Sequence, residues 1–314
     1  MPRFLKSVIA QNESVTAGTS VTYDLPVNPL SHINLVLNFF NVDNLATLAE
    51  LLSAVKRVEV LYRGQAICSA SLADLWALTT YLLQRSPLMG NHITDDNAAR
   101  WLGLMIPFGR VPFNPDECIM QTRAGELQLQ ITYAPTFVPF DNVILQLESV
   151  ELPEASPKGH IKFTTLNLTP QVGQNDLDLP IGNDIAGILL FSTTVPNGGF
   201  TTTSADQVKL LIDNSEQYYS LSNWESMRVD SQWRTGPQNN YNPGIHRLIE
   251  GTPNVMGANQ QVDDDLENYT YLDFDPLLDS SYLLKTVGAA SAKLRITGGD
   301  TDAIRAIPVE LVRH

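Results

Sequence analysis

The chain has 314 residues, with 20 Lys and Arg against 34 Asp and Glu, for a formal net charge of −14. Its 43% hydrophobic and 17% charged content describes a folded globular protein, long enough for one large domain or two of ordinary size. The acidic balance argues against a general nucleic-acid binder, since phosphate neutralisation needs clustered Lys and Arg, though it leaves room for a local basic patch; no specific nucleic-acid recognition is expected.

Met1 to Ala10 carries Arg3 and Lys6 but lacks the apolar core of a signal peptide. No window reaches the roughly 18 apolar residues of a membrane span, so a soluble or peripherally attached protein is expected. Phe4 to Gln11 reads either as a short strand added to the chain's own sheet or as an N-terminal arm. Ser20 to Leu25 alternates and is rich in Val, Thr and Tyr, and it ends at Asp24-Leu25-Pro26. His32 to Phe40 is the next strand, with Ile33, Leu35, Leu37 and Phe39 on one face. Leu48, Leu51, Leu52 and Val55 have helical spacing. Val58 to Tyr62 and Gln65 to Ser69 flank Gly64 as a hairpin. Ser71-Leu72-Ala73-Asp74 resembles a capping box with Asp in place of Glu, predicting a helix from Leu72 to about Gln84. Ser86 to Ala99 reads as a polar loop.

Leu104 to Thr132 then divides in two. Pro107, Pro112 and Pro115 argue against helix or central strand in its first half. The alternation of Leu127, Leu129 and Ile131 with Gln128, Gln130 and Thr132 gives a half-buried strand in the second. Asn142 to Leu152 closes the first half of the chain. Pro153, Ser156, Pro157 and Gly159 suit a linker, so the expected domains are residues 1–154 and 155–314.

The second half repeats the first in order. Asp24-Leu25-Pro26 returns as Asp178-Leu179-Pro180, Ile33 to Phe39 as Gly187 to Phe191, and Val58 to Leu61 as Val208 to Leu211. Ser71-Leu72 with Trp76 returns as Ser220-Leu221 with Trp224, and Leu129 to Thr132 as Leu294 to Thr297. The spacing implies a duplicated all-β unit of roughly 150 residues. Ser231 to Asn268, dense in Gln, Asn, Pro and Gly, has no counterpart and is expected to be a long exposed loop.

Motifs for chemistry are sparse. The five histidines include no pair three to five residues apart, and there is no Cys-x-x-Cys, nucleophile elbow, phosphate loop or dinucleotide fingerprint. Cys68 and Cys118 read as free buried thiols. Gly198-Gly199 and Gly298-Gly299 read as hairpin turns. Asp263, Asp264, Asp265 and Glu267 form the densest acidic cluster and are the weak metal candidates. Their spacing is not that of an EF-hand loop, and a solvated loop is the better reading. No catalytic residue, cofactor or enzyme activity is expected. A carbohydrate- or receptor-binding β-protein is the alternative, with Trp224, Trp233 and Tyr241 as stacking candidates.

Four features together resemble the double jelly-roll major capsid proteins of icosahedral viruses, of the kind found in membrane-containing phages. These are the Asp-Leu-Pro strand ending, the Val55 to Val60 strand, the helix after Ser71, and the block from Ile106-Pro107-Phe108 to Thr132. The resemblance covers nearly the whole chain. It implies an all-β fold of two tandem jelly-roll β-sandwich domains with short connecting helices. It further implies a homotrimer forming a pseudo-hexagonal capsomer, set beside neighbouring capsomers and minor capsid or vertex proteins. The loop at 231–268 would project outwards, and an N-terminal arm with Arg3 and Lys6 would face an inner membrane. The implied location is the virion, after a soluble stage in the host cytoplasm.

Overall fold

The computed structural model describes residues 3–42, 48–90, 96–138, 140–194, 203–235, 266 and 268–314. These divide into two compact units. The first runs to Ile161 and includes His314, and the second runs from Lys162 to Arg313.

In the first unit, one sheet has the order β1 (Leu5–Val15), β9 (Phe140–Glu151), β3 (Leu30–Asn41), β7 (Ala99–Pro107), β6 (Leu88–Gly90). A second has β2 (Ser20–Asp24), β8 (Leu127–Tyr133), β4 (Val55–Tyr62), β5 (Gln65–Ala70). Two helices accompany them, α1 (Leu48–Ser53) and α2 (Leu72–Leu83). Alternation explains the layering. Ile33, Leu35, Leu37 and Phe39 of β3 are fully buried, and Leu35 and Leu37 pair with Leu147 and Leu145 of β9. Leu127, Leu129, Ile131 and Tyr133 of β8 point inward, while Gln128, Gln130 and Thr132 alternate with them. Each inner face would be costly to leave in water, at roughly 1.5–3 kcal/mol per large side chain.

In the second unit, β16 (Tyr269–Asp273), β13 (Asp184–Ser192) and β18 (Ile304–Arg313) are adjacent, with β11 (Leu166–Leu168) beside β18; β10 (Gly159–Thr164), which also neighbours β18, begins before the division and ends after it. The facing sheet is β12 (Gly173–Asp178), β17 (Ala292–Gly298), β14 (Gln207–Ile212), β15 (Ser215–Asn223), and α3 (Trp224–Thr235) follows β15. This is the connectivity of the first unit again, two jelly-roll sandwiches in series.

The repeat holds at the level of register. Val58 of β4 sits opposite Ile131 and Val60 opposite Leu129, while Val208 of β14 sits opposite Ile296 and Leu210 opposite Leu294. Tyr23 pairs Leu129 as Leu177 pairs Leu294. Leu25 N donates to Leu127 O and Leu179 N to Ala292 O, both at 2.9 Å, so the two Asp-Leu-Pro endings do the same work. The hairpin turns also correspond. Arg63 and Gly64 both have positive φ, as do Asp213 and Asn214, which is the type I′ geometry that matches strand twist. The two helices have the same length, and their eighth residues are hydroxyls that reach the equivalent strand. Thr79 Oγ1 donates to Met105 O at 3.1 Å, and Ser231 Oγ lies 3.1 Å from Tyr271 O.

Several local expectations are corrected. Ala99 to Pro107 is a strand despite its proline. Pro107 occupies the last ladder position, and β6 pairs only Trp101 to Gly103, so the missing N–H falls beyond its reach. Leu88 to Gly90 inside the expected polar loop forms β6. Val55 belongs to β4 and not to the preceding helix. Trp76 and Trp224 are not equivalent, because Trp76 is fifth in α2 whereas Trp224 opens α3, and Ser220-Leu221 lies within β15. Gly298-Gly299 is not a hairpin turn, since β17 and β18 belong to different sheets. A Cβ on Gly298 would meet Ser204 O at 2.1 Å, so close backbone approach is what demands glycine there. Ser231 to Thr235 is the end of α3 and not loop. Residues 236–265 and 267 of the expected loop, and Gly198-Gly199, lie outside the described residues.

Candidate assembly surfaces

Of the sequence-derived site candidates, Trp224 and Trp233 lie among the described residues. Asp263, Asp264, Asp265, Glu267 and Tyr241 lie outside the described residues. Trp224 is buried in the second core with Leu210, Met227 and Phe274, so it cannot stack on a sugar face. Trp233 is 87% exposed. Cys68 and Cys118 are free, buried thiols, and burial pushes Cys118 up to about 11, which keeps it protonated and unreactive. Among the described residues no three His, Cys, Asp or Glu side chains are grouped as a metal ion requires.

The three described histidines, His32, His160 and His314, are structural in setting. His32 is buried, takes a 2.9 Å hydrogen bond between its Nδ1 and Ser31 Oγ, and meets Phe113 edge-on. Desolvation, helped by the charge of Lys6, lowers its pKa to about 4, so the ring stays neutral. His160 and His314 stack with ring centroids 4.9 Å apart and facing nitrogens at 3.2 Å. Burial lowers the pKa of His314, opposed by a hydrogen bond with the backbone of Cys118.

The expected Phe4 to Gln11 segment falls, from Leu5 onward, in β1 (Leu5–Val15), a strand of the first unit's own sheet that pairs β9 along its length. Its cations find acids across the ladder. Lys6 pairs with Glu148, which lowers the Glu148 pKa, and Arg3 lies 3.4 Å from Glu154. The local excess of positive charge read from the sequence is thus balanced by β9 and the turn after it. The start of β1 and the residue before it nevertheless leave Phe4, Leu5 and Val8 exposed, with Phe4 set edge-on against Phe113.

The second unit has its own apolar exposure, on α3 and β15. Trp224, Met227, Ser231 and Arg234 form the buried stripe of α3, at helical spacing. Ser231 Oγ accepts from Tyr271 N at 2.9 Å and lies 3.0 Å from Thr270 Oγ1. The Arg234 guanidinium, 3% exposed, pairs with Asp273 and donates to Asp275 O at 3.1 Å, pinning the end of the helix to β16. Asp273 in turn accepts from Asp275 N at 2.8 Å. The opposite stripe carries Glu225, Val229, Asp230 and Trp233, with Val229 67% exposed. Tyr218 and Leu221 on β15 are exposed as well. Sequence reasoning missed this surface because it assigned Ser231 onward to a loop. The 3-4-3 spacing of Trp224, Met227, Ser231 and Arg234 was the available signal.

No family model matches the sequence, and no curated protein matches it. Solved structures do. The STIV major capsid protein aligns with a TM-score of 0.67 at 14% identity, covering 99% of this chain and 97% of its own. The major capsid protein of bacteriophage PM2 aligns at 0.65 and 12% identity, covering 99% and 98%. The PBCV-1 virus capsid aligns at 0.62 and 11%, covering 99% and 94%. The chain has the double jelly-roll fold of viral major capsid proteins. Within this double jelly roll, the described side chains considered above form structural ion pairs and apolar faces. Asp184 illustrates the ion pairs, with its buried carboxylate 2.9 Å from Lys285 Nζ and 3.0 Å from Arg313.

Proposed function

We propose that the chain is a structural protein of a virus shell, a major capsid protein whose three copies form a pseudo-hexagonal capsomer. The observation that carries this is the double jelly roll itself, aligned end to end with capsid proteins at TM-scores above 0.6. Two near-equal sandwiches per chain make six per trimer, and six similar blocks tile a hexagonal lattice with one gene product. The sequence junction near residues 153–159 is then the stretch that leads from the first block towards the second, shortly before the two units divide at Ile161 and Lys162. Neighbouring capsomers and minor capsid or vertex proteins are the partners, the virion is the location, and no catalysis is assigned.

Native mass spectrometry with negative-stain microscopy tests the reading. Particles at three times the 34.7 kDa chain mass, with hexagonal outline, are expected. A chain that stays monomeric at micromolar concentration in native buffer refutes it, because obligate subunits of this kind bury interfaces of about 2,000 Å² or more.

A further inference from the structure

The two units match in register but differ in what they leave uncovered. In the first, Ile67 to Ala70 of β5 and most of α2 are buried. In the second, β15 and one side of α3 are exposed. Counting along the two helices, Val229 and Trp233 occupy the sixth and tenth places of α3. Their counterparts in α2 are Ala77 and Tyr81, both buried. The opening strands differ in the opposite sense. Gly159, His160, Ile161 and Phe163 of β10 are buried, whereas β1 exposes Leu5 and Val8, with exposed Phe4 just before it. Each repeat therefore leaves bare an element whose counterpart is covered.

We propose that a second copy of this chain covers both, with the β1 edge of one copy seated against β15 and the outer stripe of α3 of the next. This rests on the shell reading and assigns its subunit contact. The chemistry is complementary. β1 and the two residues before it offer Arg3 and Lys6 among Phe4 and Val8, and α3 offers Glu225 and Asp230 beside Val229 and Trp233. Arg3 is 77% and Lys6 51% exposed in their side chains, so each can share its charge with a second acid. A contact between two different patches is head-to-tail, and such contacts close into rings when the rotation permits. Trp233 is the anchor, since a large aromatic that leaves water on association dominates an interface. Backbone pairing along β15 is not required. The register shifts between Val208 and Leu211, and the positive φ of Tyr218 and Leu221, interrupt that edge as a ladder.

Mixed cysteine cross-linking of the full chain tests the pairing. Val8→Cys and Val229→Cys chains are purified separately, mixed, and mildly oxidised, with wild type as the control for the buried Cys68 and Cys118. A disulfide-linked pair that forms in the mixture and not in either variant alone is expected. Trp233→Asp is expected to raise the concentration of half-assembly roughly tenfold or more, with an unchanged melting curve at dilution because the ring is already exposed. A trimer by mass with no mixed cross-link, and unaffected by Trp233→Asp, overturns this contact and leaves the shell reading standing. A wild-type monomer at every concentration overturns both. A Trp233→Cys thiol shielded from maleimide while the chain is monomeric would mean that the chain's own residues cover the stripe, which also overturns the proposal.

Discussion

Replacing Arg234 probes the device that fixes the outer helix of the second unit. Its side chain is 3% exposed and its partner Asp273 is 16% exposed, so the pair is largely withdrawn from water. Removing one member of a buried pair costs about 3–5 kcal/mol, mostly because the other charge is left uncompensated. Asp273 keeps one hydrogen bond from Asp275 N and some contact with water, which places Arg234→Met near the lower end, at about 3 kcal/mol. Asp273→Asn should cost a similar amount, because the buried guanidinium keeps Asp275 O but loses its countercharge. The double variant leaves no isolated charge and is expected to lose only about 1–2 kcal/mol, giving a coupling of about 4–5 kcal/mol. Urea unfolding of the four chains, with constant slope, measures the cycle. Single-variant losses below about 1 kcal/mol, or a double variant equal to the sum of the singles, would refute the claim that this pair holds α3 to β16.

Other outcomes follow from the same geometry. Gly298→Ala should lower the melting temperature sharply, since its Cβ would stand 2.1 Å from Ser204 O and 2.7 Å from Thr203 O, and backbone has little room to yield. A melting temperature within two or so degrees of wild type would contradict that packing. His32 is held neutral with a folded pKa of about 4, below its unfolded value, so its contribution is complete above about pH 6.5 and is lost as pH falls towards 4. His314 shifts in the same direction and adds to that acid limb. His32→Gln should flatten the fall in stability between pH 6.5 and 4, read from denaturation midpoints across that range, and an unchanged slope would count against it. Cys68 and Cys118 should ignore a thiol reagent in the native chain and both react on unfolding. Prompt labelling of either in folded protein would show that the core is open at β5 or at the 115–119 turn.

Much of the fold could be read before the structure because the strongest signals are local. The alternation of Leu127, Leu129 and Ile131 dictates which side of β8 is wet, and Ser71 three residues before Asp74 caps α2 through a 3.1 Å bond to Asp74 N. The repeat was legible because core positions are tied to register. A slip of one residue would turn Val58 or Val208 to the wrong face. What stayed hidden depends on distant contacts. Arg234 meets Asp273 across 39 residues, and nothing near Arg234 in the sequence announces an acid there. Pro107 was misread because a proline in isolation argues against a strand, whereas a proline at the last rung of one, with no neighbour beyond, costs nothing. Gly298 was misread for a similar reason, since a Gly-Gly pair looks the same whether it turns a hairpin or lets Ser204 approach.

The surface is where duplication and sequence part company. Inside each sandwich, Leu129 and Leu294 face equivalent partners and have stayed the same residue type. On the helices, the core-facing places keep their burial, with Leu72, Leu75, Thr79 and Leu82 matched by Trp224, Met227, Ser231 and Arg234. The outward places do not. Ala77 and Tyr81 are covered, while Val229 and Trp233 are bare and flanked by acids. An unneeded apolar surface would be a liability for a chain at high concentration, because exposed aromatic and branched side chains drive non-specific association. Solubility alone would place polar residues at 229 and 233, as at Gln232 beside them. An apolar pair on the bare stripe is what a specific contact requires, and its acidic flanks restrict which neighbour can make it, by repelling a like-charged face and accepting a basic one.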